Sequence, residues 1–172
     1  MMNAARPGEL LRAALLSGTV ASLTSALALL AGGQRDLDDP ITPLNGPSQW
    51  ILGRRAPCQD GLRLPHTPLG LCIHHGSSIF WALFFEATRS RPPPPSPYAD
   101  CMRPAAITAV VAAFVDLVVT PPRLRPGFER RLSASSLAGV YAAFALGLAG
   151  ARLIARRREE SLSSRDSARA AP

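Results

Sequence analysis

The chain has 172 residues, enough for one ordinary domain. It is 47% hydrophobic but only 6% aromatic and 18% charged, and its apolar residues, mainly Ala and Leu, are concentrated in four stretches. This clustering argues against a soluble enzyme. All 19 basic residues are Arg, so the net charge of +7 does not come from a Lys-rich tail of the kind that binds nucleic acid.

The first and last apolar stretches are long enough to cross a membrane as helices. A hydrocarbon layer of about 30 Å needs roughly 20 apolar residues, and a helix satisfies all of its own backbone hydrogen bonds there. Residues 13–33 and 132–151 contain no charged residue. Both runs lack the polar face expected of a soluble helix, so a soluble bundle of four buried helices is the less favoured alternative.

The two middle stretches are shorter and carry polar residues. Residues 67–86 contain two adjacent His residues, and residues 104–120 contain Asp116. Both are near the lower length limit, where the bilayer thins or the helix extends into its flanks. We predict an all-α fold, an integral membrane four-helix bundle made of two helical hairpins, in a single transmembrane domain over residues 1–158.

The N-terminal run has a second interpretation, a cleaved signal peptide. Arg6 and Arg12 precede the run, and Ala26-Leu27-Ala28 resembles the small-residue site at which signal peptides are cut. However, the apolar run continues past Ala28 and is longer than a usual signal-peptide core. An uncleaved membrane anchor is therefore the favoured prediction.

Arg placement predicts the orientation. Four spans put both termini on one side, and Arg152, Arg156, Arg157 and Arg158 directly follow the last span. Positive charge next to a span favours the cytoplasmic side. We predict a multi-pass protein of the bacterial inner (plasma) membrane with both termini cytoplasmic. The predicted connecting segments are an external loop at 34–63, a Pro-rich cytoplasmic loop at 87–103 and a disordered cytoplasmic tail at 159–172.

Small residues recur at every fourth position in the first and last spans. Gly18 and Ser22 belong to the first span, and Gly139, Ala143 and Gly147 to the last. Small residues at this spacing let helix backbones approach closely where lipid supplies no hydrophobic drive. The pattern predicts helix packing, and it leaves contact within one chain and contact between two copies both open.

Four polar residues of the middle spans form a candidate intramembrane group: His74, His75, Ser78 and Asp116. His74 and Ser78 lie one helical turn apart, whereas His75 points about 100° away. A charged group at the centre of a membrane helix costs about 2.5–3.5 kcal/mol, so such groups usually face a partner or water. The group is predicted either to join helices by hydrogen bonds or to form a proton relay, an ion site or a metal site.

Three further residues are predicted at the membrane interfaces: Trp50, Trp81 and Glu86. Glu86 lies about 18 Å further along its helix than the first His of the His pair, which separates it from the polar group. It is expected at the cytoplasmic interface, beside Arg89 or Arg103.

No segment carries a known catalytic or cofactor motif. The chain has no nucleophile elbow, zinc-protease motif, phosphate loop or dinucleotide fingerprint. Of the three cysteines, only Cys58 and Cys72 are compatible with pairing in the predicted topology, and nothing in the sequence supports that pair. We therefore predict no enzyme activity and no cofactor.

Three segments resemble those of a group of uncharacterised proteobacterial membrane proteins: NGPSQWILGRR, HTPLGLCIHHGSSIFWALFFE and FVDLVVTPPRLRPGFERRLS. The likeness covers residues 44–150, and the His-His-x-x-Ser-x-Phe-Trp-Ala run and the Pro-Gly-Phe-Glu loop are its most particular parts. It implies a four-span inner-membrane protein and no specific function. The matching positions are Ser48, Trp50, His74, His75, Ser78, Trp81, Glu86, Asp116, Pro126 and Glu129.

Two functional classes remain. The first is an integral membrane protein with a structural or interaction role, whose polar residues lock the helices together. The alternative is a small carrier, or a proton- or metal-binding membrane protein, that uses the intramembrane His and Asp residues. The predicted partners are the lipid bilayer and either a second copy or another membrane protein, with no nucleic acid.

Overall fold

The computed structural model describes residues 7–88 and 96–170. The described residues are 82% helical and form no β-strand. The predicted all-α class is confirmed. The α-helices in chain order are α1 (Pro7–Leu37), α2 (Thr42–Asn45), α3 (Gln49–Leu52), α4 (His66–Ala87), α5 (Pro97–Phe114) and α6 (Ala134–Ala170).

Four helices are long and apolar enough to cross a membrane: α1, α4, α6 and α5 with its extension. That extension is a π-helical segment, Val115–Val119, that continues α5. This confirms four candidate spans. The helices are longer than the predicted runs because their polar ends extend beyond the apolar segments, most of all in α1 and α6.

The third long helix begins before the predicted start at residue 104. Ser96 caps it by accepting a hydrogen bond from the Ala99 backbone N–H at 3.4 Å, and Pro97 occupies the first helical turn. A Ser cap followed by Pro is a favourable helix start. Residues 97–103 of the predicted Pro-rich loop are therefore helical, and residues 89–95 lie outside the described residues.

The last helix extends through most of the predicted disordered tail. Residues 159–170 are helical rather than disordered, and 171–172 lie outside the described residues. Arg156 and Glu160 form an ion pair one turn apart, with 2.9 Å between Nε and Oε1. Such ion pairs, together with the high helix propensity of Ala, Arg and Glu, favour the helical conformation. The low hydrophobicity of the tail does not reveal either contribution.

The four long helices form a ring with one weak side. α1 packs along both α6 and α4, and α6 also packs along α5. By contrast, α4 and α5 touch over a much shorter length. Small side chains such as Ala21, Ala82 and Ala105 fill much of the buried core beside Phe85 and Phe144, so the helices approach closely everywhere except between α4 and α5.

Backbone contact is closest at two of the predicted packing glycines. A Cβ at Gly18 would lie 2.7 Å from the Ile79 Cα of α4, and one at Gly147 would lie 2.5 Å from the Ala21 Cα of α1. Ser22 is also buried. These small residues therefore lie where α1 meets its two neighbours.

The small residues at every fourth position of α6 do not all pack against a neighbouring helix. The Ala143 carbonyl accepts a hydrogen bond from the Thr24 hydroxyl at 2.9 Å, so this position faces α1. Gly139 is exposed, with no atom within 4 Å of a Cβ placed there. A step of four residues rotates by about 40° around a helix, so Gly139 turns away from α1 and Val140 is buried in its place.

Two loops cover one end of the ring, and we call residues 38–65 and 120–133 the cap. Asn45 is fully buried at its centre. Its side-chain N–H groups donate to the carbonyls of Gln59 and Gly61 at 2.9 Å, and its Oδ1 accepts from the Thr67 hydroxyl at 2.6 Å. The predicted external loop is therefore a hydrogen-bonded layer attached to the start of α4.

An acid anchors the start of the cap to α2. The Asp39 carboxylate accepts hydrogen bonds from the Ile41 N–H at 2.9 Å and from the Thr42 hydroxyl at 2.7 Å. The bond from Thr42 contributes most to holding the pKa of Asp39 below its usual value. Ionised Asp39 therefore stabilises the turn that leads from α1 into the cap.

The two loops of the cap contact each other through backbone. Gly46 packs against Gly127, which has a φ of 87°, and a Cβ on Gly127 would lie 2.6 Å from the Gly46 oxygen. Gln49 donates from Nε2 to the Arg125 carbonyl at 2.5 Å. These contacts hold the 120–133 loop over the end of the bundle.

Candidate binding cavity

A cavity of about 450 Å³ lies inside the ring, under the cap and beside the weak α4–α5 contact. Its walls come from all four long helices and from both loops of the cap. The lining is predominantly apolar and aromatic, with a few polar side chains. Size and lining are those of a small-molecule site.

His74 lies on the α4 wall of the cavity. Its Nε2 is 3.0 Å from the Ser25 hydroxyl of α1. The Ser25 hydroxyl donates to the Ala21 carbonyl at 2.7 Å, which leaves its lone pairs to accept from the imidazole N–H. Ser78, one turn further along α4, also lines the cavity and donates to the His74 carbonyl at 2.9 Å.

Asp116 lies on the α5 wall, in the π-helical segment. The Thr120 N–H bonds to the Val115 carbonyl at 2.8 Å, a five-residue step that marks the wider turn. The Asp116 carboxylate accepts a hydrogen bond from the Tyr141 hydroxyl of α6 at 3.2 Å. A carboxylate therefore reaches the cavity from a local break in regular α-helix.

The structure brings together three of the four predicted polar residues. His74, Ser78 and Asp116 line one cavity, whereas His75 is not part of its lining. The hydrogen bonds that the structure gives His74 and Asp116 go to α1 and α6, not to each other. The site is therefore two separate polar contacts facing one apolar space.

The cavity does not contain a metal-ligand set. In the described part of the chain, no three His, Cys, Asp or Glu side chains are close enough to hold a metal ion. The three cysteines are free, with Cys58 and Cys72 exposed and Cys101 buried. The arrangement suits hydrogen bonding and charge recognition by organic groups.

Both tryptophans of the chain line the cavity. Trp50 lies at its cap end and donates from Nε1 to the Arg125 carbonyl at 3.3 Å. Trp81 lies on α4, with its ring centroid 5.4 Å from that of Phe80 in an edge-to-face arrangement. The sequence predicts both residues at membrane interfaces, and the structure adds that both side chains line the same cavity.

Sequence reasoning missed Ser25 and Tyr141, the hydrogen-bonding partners of the polar group. Tyr141 is the one aromatic residue with a polar tip inside the last apolar run, and this signal was available in the sequence. Ser25 had no such signal, because α1 contains several Ser and Thr residues that are equivalent by composition.

Glu86 lies near the opposite end of the bundle and pairs with Arg152 of α6. The distance from Arg152 Nη2 to Glu86 Oε2 is 3.6 Å, and the two residues are only 3% and 6% exposed. The guanidinium also lies 3.5 Å from the centroid of the Phe85 ring and donates to the Asp100 carbonyl at 3.0 Å. Arg152 therefore has three kinds of contact inside the bundle.

This pairing corrects the expected partner of Glu86. Arg103 is exposed, and Arg89 lies outside the described residues. Glu86 faces the bundle interior, and the described ion-pair partner that reaches it there is Arg152 of α6. Proximity in sequence was a poor guide because the helix rotation decides which face each charge occupies.

The chain matches no family model, no curated protein and no solved structure. The resemblance to proteobacterial membrane proteins stays a prediction from the quoted segments. The function is therefore inferred from the cavity and from the residues around it.

Proposed function

We propose that this chain is a multi-pass membrane protein whose helical bundle binds a small, mostly apolar molecule. The observation that carries the proposal is the cavity of about 450 Å³, where His74 and Asp116 face an apolar interior. A pocket of this kind, with a few polar groups that orient a ligand, is the usual form of a small-molecule site. The role corresponds to a carrier or binding protein.

Membrane insertion is supported by the outer faces of the long helices. Leu16 and Leu27 of α1 and Val110 and Phe114 of α5 are exposed large apolar residues. In water such a surface would be an unusually large apolar patch, whereas lipid solvates it favourably. The proposed arrangement is two helical hairpins in a bacterial inner membrane, supported by the segment resemblance, with both termini cytoplasmic, supported by the Arg residues after the last span.

The proposed topology predicts opposite labelling of two exposed positions. On a Cys-free background, Leu62→Cys in the cap should react with a membrane-impermeant maleimide in intact cells, and Ser96→Cys only after permeabilisation. Both residues are exposed, so each is accessible to the reagent. The reverse pattern would invert the orientation. Labelling of both in intact cells would contradict four spans.

The cavity predicts that filling it abolishes binding of a neutral apolar molecule. Gly76 lines the cavity, and a Cβ there would meet no atom within 4 Å, so Gly76→Leu occupies the cavity without a backbone clash. The measurement is quenching of Trp50 and Trp81 fluorescence by triphenylphosphine oxide, in an uncharged detergent. The wild-type chain should show saturable quenching, and Gly76→Leu should lose it.

Gly150→Leu is the matched control. Gly150 also has open space at its Cβ position but does not line the cavity, so this variant should bind as the wild type does. Equal quenching in Gly76→Leu and Gly150→Leu would contradict the cavity as the binding site.

A structural role is the second candidate, favoured by the direction of the hydrogen bonds. His74 joins α4 to α1, and Asp116 joins α5 to α6. If these bonds only lock the bundle, His74→Ala and Asp116→Ala should lower the protein level, and Gly76→Leu should leave probe binding unaffected. The same panel of variants therefore separates the two functions.

A further inference from the structure

Resting on the proposed function, we infer that the cavity selects hydrophobic cations, molecules that carry one positive charge on an apolar body. The juxtaposition that points to this class is the Asp116 carboxylate among the aromatic side chains of the cavity wall. The two features recognise different parts of such a molecule, the carboxylate its charge and the aromatic rings both its charge and its apolar surface.

The charge that faces the cavity from its α5 wall is negative. Asp116 is the acidic lining residue, and a second carboxylate, Glu129, lies close enough to interact with its charge. Among the described residues, Glu129 Oε2 is buried without a hydrogen-bonding partner. No Arg belongs to the lining. Arg125, at the cap, donates from Nε to the Thr120 carbonyl at 3.1 Å, and Arg130 Nε lies 4.0 Å from Glu129 Oε1. The Asp116 carboxylate itself accepts a hydrogen bond from the Tyr141 hydroxyl but has no ion-pair partner among the described residues.

Aromatic side chains line the same cavity as this carboxylate. Aromatic faces attract a cation through the ring quadrupole, Trp most strongly, and this attraction increases when the site is shielded from water. Several such faces around one charge form the cage that proteins use for quaternary ammonium groups. The six aromatic lining residues are Trp50, Phe80, Trp81, Phe128, Tyr141 and Phe144.

Other ligand classes fit the cavity less well. A neutral apolar molecule would offer the Asp116 carboxylate no compensating charge in an apolar space, where an unpaired charge is costly. An organic anion would be repelled by Asp116 and Glu129. A bare metal ion needs more ligands than the described His, Cys, Asp and Glu side chains bring together.

Three phenyl-substituted probes that differ in charge test the charge selection. Tetraphenylphosphonium carries one positive charge, tetraphenylborate one negative charge, and triphenylphosphine oxide none. Binding is measured by tryptophan fluorescence on the full chain, in an uncharged detergent at mildly alkaline pH. We expect the wild type to bind the phosphonium at least about tenfold more tightly than the neutral oxide, and the borate most weakly.

The carboxylate is tested by the near-isosteric substitution Asp116→Asn. It should weaken phosphonium binding at least about tenfold and leave oxide binding nearly unchanged. Asp38→Asn removes one carboxylate from an exposed position outside the cavity and should change neither. The comparison of probes on the wild type still tests the inference if Asp116→Asn does not fold.

Three results would contradict these proposals. Equal affinity of the wild type for the phosphonium and the oxide, or an Asp116→Asn variant that keeps full phosphonium affinity, would overturn cation selection but leave the binding cavity intact. Absence of saturable quenching by all three probes would overturn the proposed binding function as well.

Discussion

Arg152→Ala is expected to destabilise the folded chain by about 3–5 kcal/mol, the largest effect of any single substitution that we propose. The variant leaves the Glu86 carboxylate buried without its guanidinium partner. It also removes the donor to the Asp100 carbonyl and the contact with the Phe85 ring. A buried charge that loses its partner is far more costly than a broken ion pair at a surface.

The free energy of unfolding in mixed detergent micelles measures this effect. Arg157→Ala removes an exposed Arg from the same helix and should lie within about 0.5 kcal/mol of the wild type. The double variant Glu86→Gln with Arg152→Met removes both charges and should recover part of the loss. If Arg152→Ala and Arg157→Ala had equal free energies of unfolding, the buried ion pair would not contribute to the stability of the fold.

The second large effect is expected at Gly70, where α4 meets the cap. A Cβ at Gly70 would overlap the backbone oxygen of Leu44 at the end of α2. The backbone fixes the Cβ position, and the Leu44 oxygen is itself a backbone atom, so neither can rotate away. Helix α4 must therefore move away from the cap. We expect Gly70→Ala to destabilise the fold by about 2–3 kcal/mol, the upper part of the range for overpacked cores.

Gly76→Ala is the control on the same helix. It makes the same substitution six residues further on, where a Cβ meets no atom within 4 Å. There Ala should be neutral or stabilising by about 0.5–1 kcal/mol, because Gly is a poor helix former. Unfolding measurements on the pair isolate the steric contact, and equal stabilities of the two variants would show that α4 is not held against Leu44.

The four long helices were predictable from the sequence because their signal is local. A run of apolar residues without a charge has few alternatives to a helix of membrane length. Helix ends were less predictable, since Ser96 and the Arg156–Glu160 pair act through specific side-chain geometry rather than hydrophobicity.

The partners across helices were not predictable, and the reason is rotational. In helices that are apolar on every side, no amphipathic pattern shows which face is buried. The sequence therefore identified His74 and Asp116 as costly residues but did not identify Ser25 and Tyr141 as their partners. The same ambiguity led to the expected Arg103 partner for Glu86, where the structure has Arg152.

The cap shows a different limit. The residues around Asn45 are recognisable as turn formers, but the partners of the Asn45 side chain come from one irregular segment, residues 59–61, and from the first turn of α4. No periodicity links these positions. Only the folded chain shows that one amide organises the layer over the cavity.

The Glu86–Arg152 pair also constrains the order in which the protein assembles. Ribosomes make the acid in α4 well before they make its counter-ion in α6. The nascent chain therefore holds the Glu86 carboxylate without Arg152 until α6 has been made. Because α6 is the last long helix of the chain, this buried ion pair forms only when the bundle is complete.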